Sequence, residues 1–202
     1  MANNVVPTKG NLISTKKSLQ LSKTGFELLD RKRNILIREM MMLIDRANEI
    51  QSKIDKAFSD AYLALQNANI TLGFCQEVAM AMPTDNSIKL DYRSVMGVEI
   101  PILSIEKAQK NELYYGLASS NSNLDEAMLK FNHVKHLTVE LAEIENSVYR
   151  LADSIKKTQK RANALKNIMI PKFESEVKFI TDALDEKERE EFSRLKVIKR
   201  QK

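Results

Sequence analysis

The sequence of 202 residues is 43% hydrophobic and 29% charged, a balance that excludes a disordered tract. It has no apolar run near the roughly 18 residues of a membrane-spanning helix, and its formal net charge is a modest +5. Five glycines and four prolines leave few sites for tight turns, whereas Leu, Lys, Glu, Ala and Met favour helices. These features predict an all-α protein.

Residues 12–68 follow a heptad pattern. Of 17 positions taken in alternate steps of three and four, 14 are apolar. A repeat of 3.5 residues sustained for eight heptads indicates a helix that buries one seam along a partner helix. The positions of this seam are Leu12, Thr15, Leu19, Ser22, Phe26, Leu29, Arg33, Leu36, Met40, Leu43, Ala47, Ile50, Ile54, Ala57, Ala61, Ala64 and Ala68.

The middle of the chain contains most of the turn-forming residues. Short runs rich in β-branched residues lie on either side of Met96–Gly97 and predict a small β-hairpin, in which Pro101 restricts its strand to an edge. Residues 104–116 are predicted to form a short helix that ends at Gly116. We therefore expect a compact insert between two long helices.

A second seam begins at Leu137, so the two helices can bury each other. The fold class predicted is all-α, a long antiparallel two-helix coiled coil with a small central insert that contains a short β-hairpin. Its segments are an N-terminal helix in 1–70, the insert in 71–118 and a C-terminal helix with a basic tip in 119–202. The second seam consists of Leu137, Leu141, Ile144, Val148, Leu151, Ile155, Thr158, Ala162, Leu165 and Met169.

No catalytic motif is found in the sequence. It lacks a glycine-rich phosphate loop, paired cysteines at metal-binding spacing and a nucleophile elbow. His133 and His136 share a helical face, but no cysteine or third histidine completes a metal site. We expect no catalytic residue, no metal and no cofactor.

The positive charge is concentrated near the amino terminus. Residues 1–33 contain seven Lys or Arg and two acidic residues, a net of +5, and the remaining 25 basic and 25 acidic residues cancel. A second basic cluster, Arg194, Lys196, Lys199, Arg200 and Lys202, lies at the carboxyl end. In an antiparallel pair both clusters meet at one end, which can contact nucleic acid, anionic lipid or an acidic protein cavity.

Three stretches of the sequence resemble a known family. PTKGNLISTKKSLQLSKTGFELLDRKRNIL, RSVMGVEIPIL and KRANALKNIMIPKFESEVKFITDALDEKEREEFSRLKVIK are similar to the amino-terminal, middle and carboxyl-terminal segments of the D subunit of V-type (archaeal and vacuolar-type) ATP synthases. Together they cover nearly the full length. Ile170–Pro171 and EREEF-x-RLK occur in the order found in that family.

The resemblance implies a non-catalytic rotor shaft. The D subunit of this family stands in the central cavity of the catalytic hexamer of A and B subunits and joins the F subunit. It rests through the C/d subunit on the membrane ring that carries the ion. A shaft of this kind, the central stalk, transmits torque between ATP chemistry and ion transport, such as hydrogen ion transport. We therefore expect a cytoplasmic protein, peripheral to the membrane and without direct membrane insertion, that binds no nucleic acid.

Three groups of residues are candidate functional sites within that family role. The basic residues at the ends of the pair would contact the hexamer cavity: Lys9, Lys16, Lys17, Arg194, Lys196, Lys199 and Arg200. The hairpin would contact the F subunit or the socket above the ring through Tyr92, Val95, Met96, Val98 and Ile100. Gly25 and Pro171 lie within about one turn of the same level if facing residue numbers add up to about 192, which predicts a bend in the shaft.

A different class of protein is also compatible with the charge pattern. A basic coiled-coil hairpin can bind nucleic acid or act as a scaffold or as the stalk of an export apparatus. Nucleic-acid binding favours basic rows along the helices with exposed aromatic residues between them. After residue 33 the charges cancel, so this alternative is the less favoured one.

Overall fold

The computed structural model describes residues 6–81, 87–105, 116 and 120–201. In chain order it contains helix α1 (Lys9–Leu72), helix α2 (Gln76–Ala81), strands β1 (Ile88–Val95) and β2 (Val98–Ile105), helix α3 (Ser122–Ala164), a π-helical turn (Leu165–Met169) and helix α4 (Ile170–Arg200). The predicted fold class is confirmed: two long helical segments flank a small antiparallel hairpin.

Local signals explain where α1 begins and ends. The hydroxyl of Thr8 accepts a hydrogen bond of 3.2 Å from the N–H of Asn11, so Thr8 caps the first turn. At the other end Gly73 adopts a left-handed conformation with φ of 79°, and its N–H donates to the carbonyl of Asn69. A glycine of this kind commonly terminates a helix because it has no Cβ to clash.

The insert differs in part from the prediction. The hairpin turns at Met96–Gly97 as expected, and Pro101 lies within β2. The helix predicted for 104–116 is wrong at its start, because Ser104 and Ile105 belong to β2 and pair with Lys89 and Ile88. Its remainder, 106–115, lies outside the described residues. Helix α2 was not predicted.

The chain divides into two compact units. Unit 1 comprises residues 1–35 and 155–202, and unit 2 comprises residues 36–154. In unit 2, α1 and α3 run antiparallel, because Arg46 pairs with Glu140 while Tyr62, further along α1, contacts the ring of Phe131. The core of this unit centres on Ile50, Ile54 and Ile144, with Leu43, Ala47, Phe58, Leu137, Leu141 and Val148 packed against them.

Unit 1 is also an antiparallel helix pair. Three polar contacts join the two helices: a Lys9–Glu188 salt bridge of 3.0 Å, a Lys23–Glu174 salt bridge of 2.7 Å and an Arg33–Gln159 hydrogen bond of 2.7 Å. Among its described residues, Thr158, Ala162 and Ile180 are the buried ones. This pair therefore has a much thinner core than unit 2.

We predict that core positions of unit 2 control stability and that nearby surface positions do not. Leu151 is fully buried, so Leu151→Ala should lower the free energy of unfolding by about 3 kcal/mol through lost burial and the cavity left behind. The exposed Tyr149 provides the matched control, and Tyr149→Ala should change it by less than about 0.5 kcal/mol. Urea denaturation followed by circular dichroism measures both values. Equal effects would contradict the assignment of Leu151 to the core.

Candidate functional site

The first candidate site is the irregular backbone of unit 1 around Pro171. Residues 165–169 form a π-helical turn, in which the N–H of Ile170 donates to the carbonyl of Leu165, five residues earlier. Pro171 follows directly, in the first turn of α4. A π-turn widens the helix by one residue per turn and is a recognised cause of helix kinks.

The spacing of the buried side chains explains this turn. Before it, Thr158, Ala162 and Leu165 face inward, and after it the inward residues are Ile170, Phe173, Val177, Ile180 and Leu184. Steps of three and four hold in both sets, but Leu165 and Ile170 are five residues apart. In an α-helix five residues exceed one turn, and the π-turn returns Ile170 to the side that Leu165 faces.

The position predicted for Met169 is therefore wrong. Met169 was placed in the seam, but it is 36% exposed, and Ile170 is half-buried in its place. The reason is that the π-turn adds one residue to the helical turn between Leu165 and Ile170, so the heptad positions after it move by one residue. The sequence did contain this signal, because Ile170, Phe173, Val177 and Ile180 form a regular seam that is out of phase with Leu165.

Gly25 lies directly opposite the π-turn. A Cβ built on Gly25 would lie 3.7 Å from Cδ1 of Leu165, an ordinary contact distance, so packing space does not require glycine there. Beside it, Nζ of Lys166 lies 5.7 Å from the centre of the Phe26 ring. The structure thus brings Gly25 against the turn that precedes Pro171.

The second candidate site is the set of basic residues in unit 1. Lys9 is paired with Glu188, and this hydrogen bond raises the pKa of Lys9. Arg194 lies 3.7 Å from Glu190 on the same helix. Lys16, Lys17, Lys196, Lys199 and Arg200 are exposed. Lys9 therefore links α1 to α4 at the surface, and the positive surface of the basic tip, residues 194–200, belongs to α4.

Apolar side chains are exposed along the same unit. Phe192, Leu195, Val197 and Ile198 lie among the basic residues of α4, and all four are more than half exposed. Further exposed apolar residues of unit 1 are Val6, Ile13, Leu21, Leu28, Ile35, Ile168, Met169 and Phe179. Large exposed apolar areas commonly mark surfaces that another protein covers.

The third candidate site is the hairpin of unit 2. Tyr92 is 54% exposed beneath the guanidinium of Arg150, which lies 5.4 Å from its ring centre, and Met96 at the turn is 45% exposed. Val95 and Val98 are half-buried. Ile100 is only 3% exposed, so it holds the hairpin in place and presents no surface to a partner.

No group of three His, Cys, Asp or Glu side chains suited to a metal ion is found in the described part of the chain. His133 lines an open groove of 690 Å³ together with Lys53, Lys56 and Lys130. The groove lining contains these three lysines and one acidic residue, Asp60, so its net positive charge disfavours a metal cation at this histidine. Among the described residues, no helix has a stretch apolar and long enough to span a membrane.

Comparison with known proteins identifies the family. Residues 11–200 match the family model for the ATP synthase D subunit. The chain belongs to the ATP synthase D subunit family. It is 44% identical to the D subunit of the V-type ATP synthase of Thermotoga neapolitana over 197 residues, covering 96% of this chain and 97% of that protein.

Archaeal members of the D subunit family match over a similar length. The D subunit of the A-type ATP synthase of Thermococcus kodakarensis is 38% identical over 200 residues, covering 97% of this chain and 94% of that protein. Its counterpart from Methanopyrus kandleri is also 38% identical, over 96% of this chain and 85% of its own length. The family resemblance inferred from the sequence is thus confirmed.

We predict that the one-residue offset between the inward residues before and after the π-turn, rather than Pro171, keeps residues 165–169 π-helical. Pro171→Ala should leave residues 165–169 π-helical, because returning them to an α-helix would move Ile170, Phe173 and Ile180 off the seam at roughly 1.5–3 kcal/mol each. Deletion of the exposed Ile168 should instead bring both seams into one frame and remove the π-turn, so that Pro171 alone interrupts the α-helical hydrogen bonds. Crystal structures of the two variants decide this, and loss of the π-turn in Pro171→Ala alone would contradict it.

A second prediction concerns the hairpin turn. Met96 has a left-handed backbone with φ of 51°, which costs a side chain other than glycine, asparagine or aspartate about 1 kcal/mol. Met96→Asn should therefore stabilise the hairpin and slow amide exchange at Asp91 and Arg93 by about fivefold. Ser94→Asn, in the regular strand, is the control and should not slow it. Unchanged exchange in Met96→Asn would show that Met96 is not strained.

Proposed function

We propose that this chain is the non-catalytic rotor shaft of a V-type ATP synthase. It would stand in the cavity of the hexamer of A and B subunits, bind the F subunit and rest through the C/d subunit on the membrane ring. In this role it is cytoplasmic and peripheral to the membrane. Support comes from membership of the D subunit family and from the apolar surface of the thin helix pair in unit 1.

The exposed apolar residues of unit 1 are the observation that carries this proposal. A two-helix pair that exposes Leu21, Leu28 and Phe179 is poorly matched to water on its outer side. These residues do not need to form one continuous patch, because a ring of subunits around the helix pair would cover all of its sides. A shaft held in that way transmits torque through contacts and requires no catalytic group of its own.

Torque transmission follows from differential contact free energy. An asymmetric shaft stabilises a different conformation at each of three catalytic interfaces, so turning it changes which interface is favoured. We propose that Gly25, the π-turn and Pro171 together set a bend that makes the shaft eccentric. Glycine destabilises a helix by roughly 1 kcal/mol relative to alanine. Because alanine would fit against Leu165 at position 25, packing does not explain this glycine, and we propose that its role is to let the helix bend.

The basic tip is proposed to seat in the hexamer cavity. Lys196 and Lys199 are exposed beside the apolar Leu195 and Ile198, a combination suited to an acidic and apolar protein surface. For the hairpin, we propose that Tyr92 and Met96 contact the F subunit or the socket above the ring, while Ile100 positions them.

Affinity purification at low salt tests the assignment. The tagged chain, expressed with its A, B and F subunits, should retain all three through washing. Recovery of nucleic acid without these subunits would overturn the rotor proposal and support the basic scaffold. This outcome separates the two functions because only a rotor shaft requires the hexamer.

A charge-matched pair of variants tests the basic tip. Lys196→Gln with Lys199→Gln should weaken binding to the A/B hexamer about fivefold, since two exposed charges contribute roughly 0.5 kcal/mol each. Lys53→Gln with Lys56→Gln removes the same charge from exposed residues of unit 2 and should leave binding unchanged. Titration of the hexamer at two salt concentrations measures the affinities. Equal weakening by both pairs would show that net charge, not the tip, is responsible.

A further inference from the structure

The two edges of the hairpin differ in their backbone partners. Along β2, the N–H of Leu103 donates to the carboxylate of Glu143 at 2.8 Å, and Arg150 donates to the carbonyl of Glu99 at 3.2 Å. Pro101, between them, has no N–H to leave unpaired. Side chains of α3 and a proline therefore close the outer edge of β2.

The register identifies the corresponding groups on β1. A two-residue turn at Met96–Gly97 makes Val95 and Val98 a hydrogen-bonded pair, and bonded pairs then alternate with non-bonded ones. Tyr92 opposite Pro101 and Leu90 opposite Leu103 are thus non-bonded pairs. The backbone N–H and C=O groups of Leu90, Tyr92 and Ser94 consequently point away from β2.

Among the described residues, no strand pairs with this edge of β1. Leu90 and Tyr92 are both just over half exposed, and no hydrogen bond from the outward amides of Leu90, Tyr92 and Ser94 occurs within the described ranges. An exposed edge of eight residues is a template for another strand, and proteins normally block such an edge. In the part of the chain that the structure describes, side chains block the edge of β2 and none blocks that of β1.

We propose that the outer edge of β1 binds an extended segment of another protein of the same assembly, which becomes the third strand of this sheet. The inference rests on the proposed function, since it requires a multi-subunit complex. Strand addition of this kind combines backbone hydrogen bonds with pockets for alternate side chains.

The residues of β1 define the chemistry of the incoming strand. On one face it meets Ile88, Leu90 and Tyr92, which favour apolar side chains. On the other face it meets Asp91 and Arg93, both exposed, which favour a basic residue opposite the first and an acidic residue opposite the second. The partner segment thus alternates apolar with charged residues.

The size of the edge favours another member of the assembly over a second copy of this chain. Stable interfaces between free proteins use roughly 20–30 residues a side, and β1 offers eight. A segment tethered in the same complex binds at an effective concentration on the order of millimolar, so a short strand suffices. Pairing of two free chains through β1 lacks this advantage.

Amide hydrogen exchange at single-residue resolution tests the inference. On assembly with the A, B, F and C/d subunits, exchange at Leu90, Tyr92 and Ser94 should slow about tenfold or more. Asp91 and Arg93, already paired with Ile102 and Ile100, serve as internal references and should change much less. A uniform slowing across residues 88–95 would indicate docking without strand addition and would overturn the proposal.

Two variants at one position separate backbone from side-chain binding. Leu90→Pro removes an outward N–H that the hairpin does not use, so Asp91 and Arg93 should stay protected in the isolated variant. Leu90→Ala keeps that N–H and removes the apolar side chain. Strand addition predicts that Leu90→Pro abolishes the assembly-dependent protection of Tyr92 and Ser94, whereas Leu90→Ala reduces it only a fewfold.

The remaining outcomes are also decisive. An intact complex in which the three outward amides stay unprotected would overturn strand addition and leave the rotor proposal standing. A chain that never joins the complex would overturn both. Protection that appears in the isolated chain and increases with its concentration would show that a second copy occupies the edge, which would also overturn the proposal.

Discussion

In each unit the fold depends on apolar burial along a seam between antiparallel helices. Most of the stability of a helix in a protein comes from the packing of its apolar face, so α1, with 64 residues, depends on its seam. All six buried residues of α1, from Leu36 to Ala68, lie on that seam. Small residues at Ala61, Ala64 and Ala68 then allow close packing without large side chains. The inward residues of each packed helix must keep facing the partner helix.

The π-turn is the clearest consequence of that constraint. Two regular seams that are one residue out of phase cannot both face inward on an unbroken α-helix. Widening one turn between Leu165 and Ile170 reconciles them, and Pro171 is tolerated because it falls beside backbone that already departs from the α-helical bonding pattern. In the proposed rotor shaft, the helix would change direction here while its inward contacts are kept.

Periodicity predicted the two long helical segments, and the β-branched runs beside Met96–Gly97 predicted the hairpin turn, because each depends on local sequence. The predicted seam of 12–68 lies within α1, which begins three residues before it and ends four residues after it. Met169 was assigned to the seam because it is apolar and lies four residues after Leu165, the spacing of an α-helix. The residue that faces inward is its neighbour Ile170. The contacts of Glu143 and Arg150 with β2 had no signal in the sequence, because they join residues 40 and 51 positions apart. The hairpin surface was predicted as a set, but burial of Ile100 emerges only from packing.

Rotation of this chain inside the hexamer tests the account most directly. Cys75 is the single cysteine and is partly exposed, so a bead can be attached there while the A/B hexamer is fixed to a surface. The account predicts rotation in one direction that begins with ATP and stops when ATP is removed. A bead that stays still while the same hexamers hydrolyse ATP, with this chain bound, would contradict the assignment of a rotor shaft.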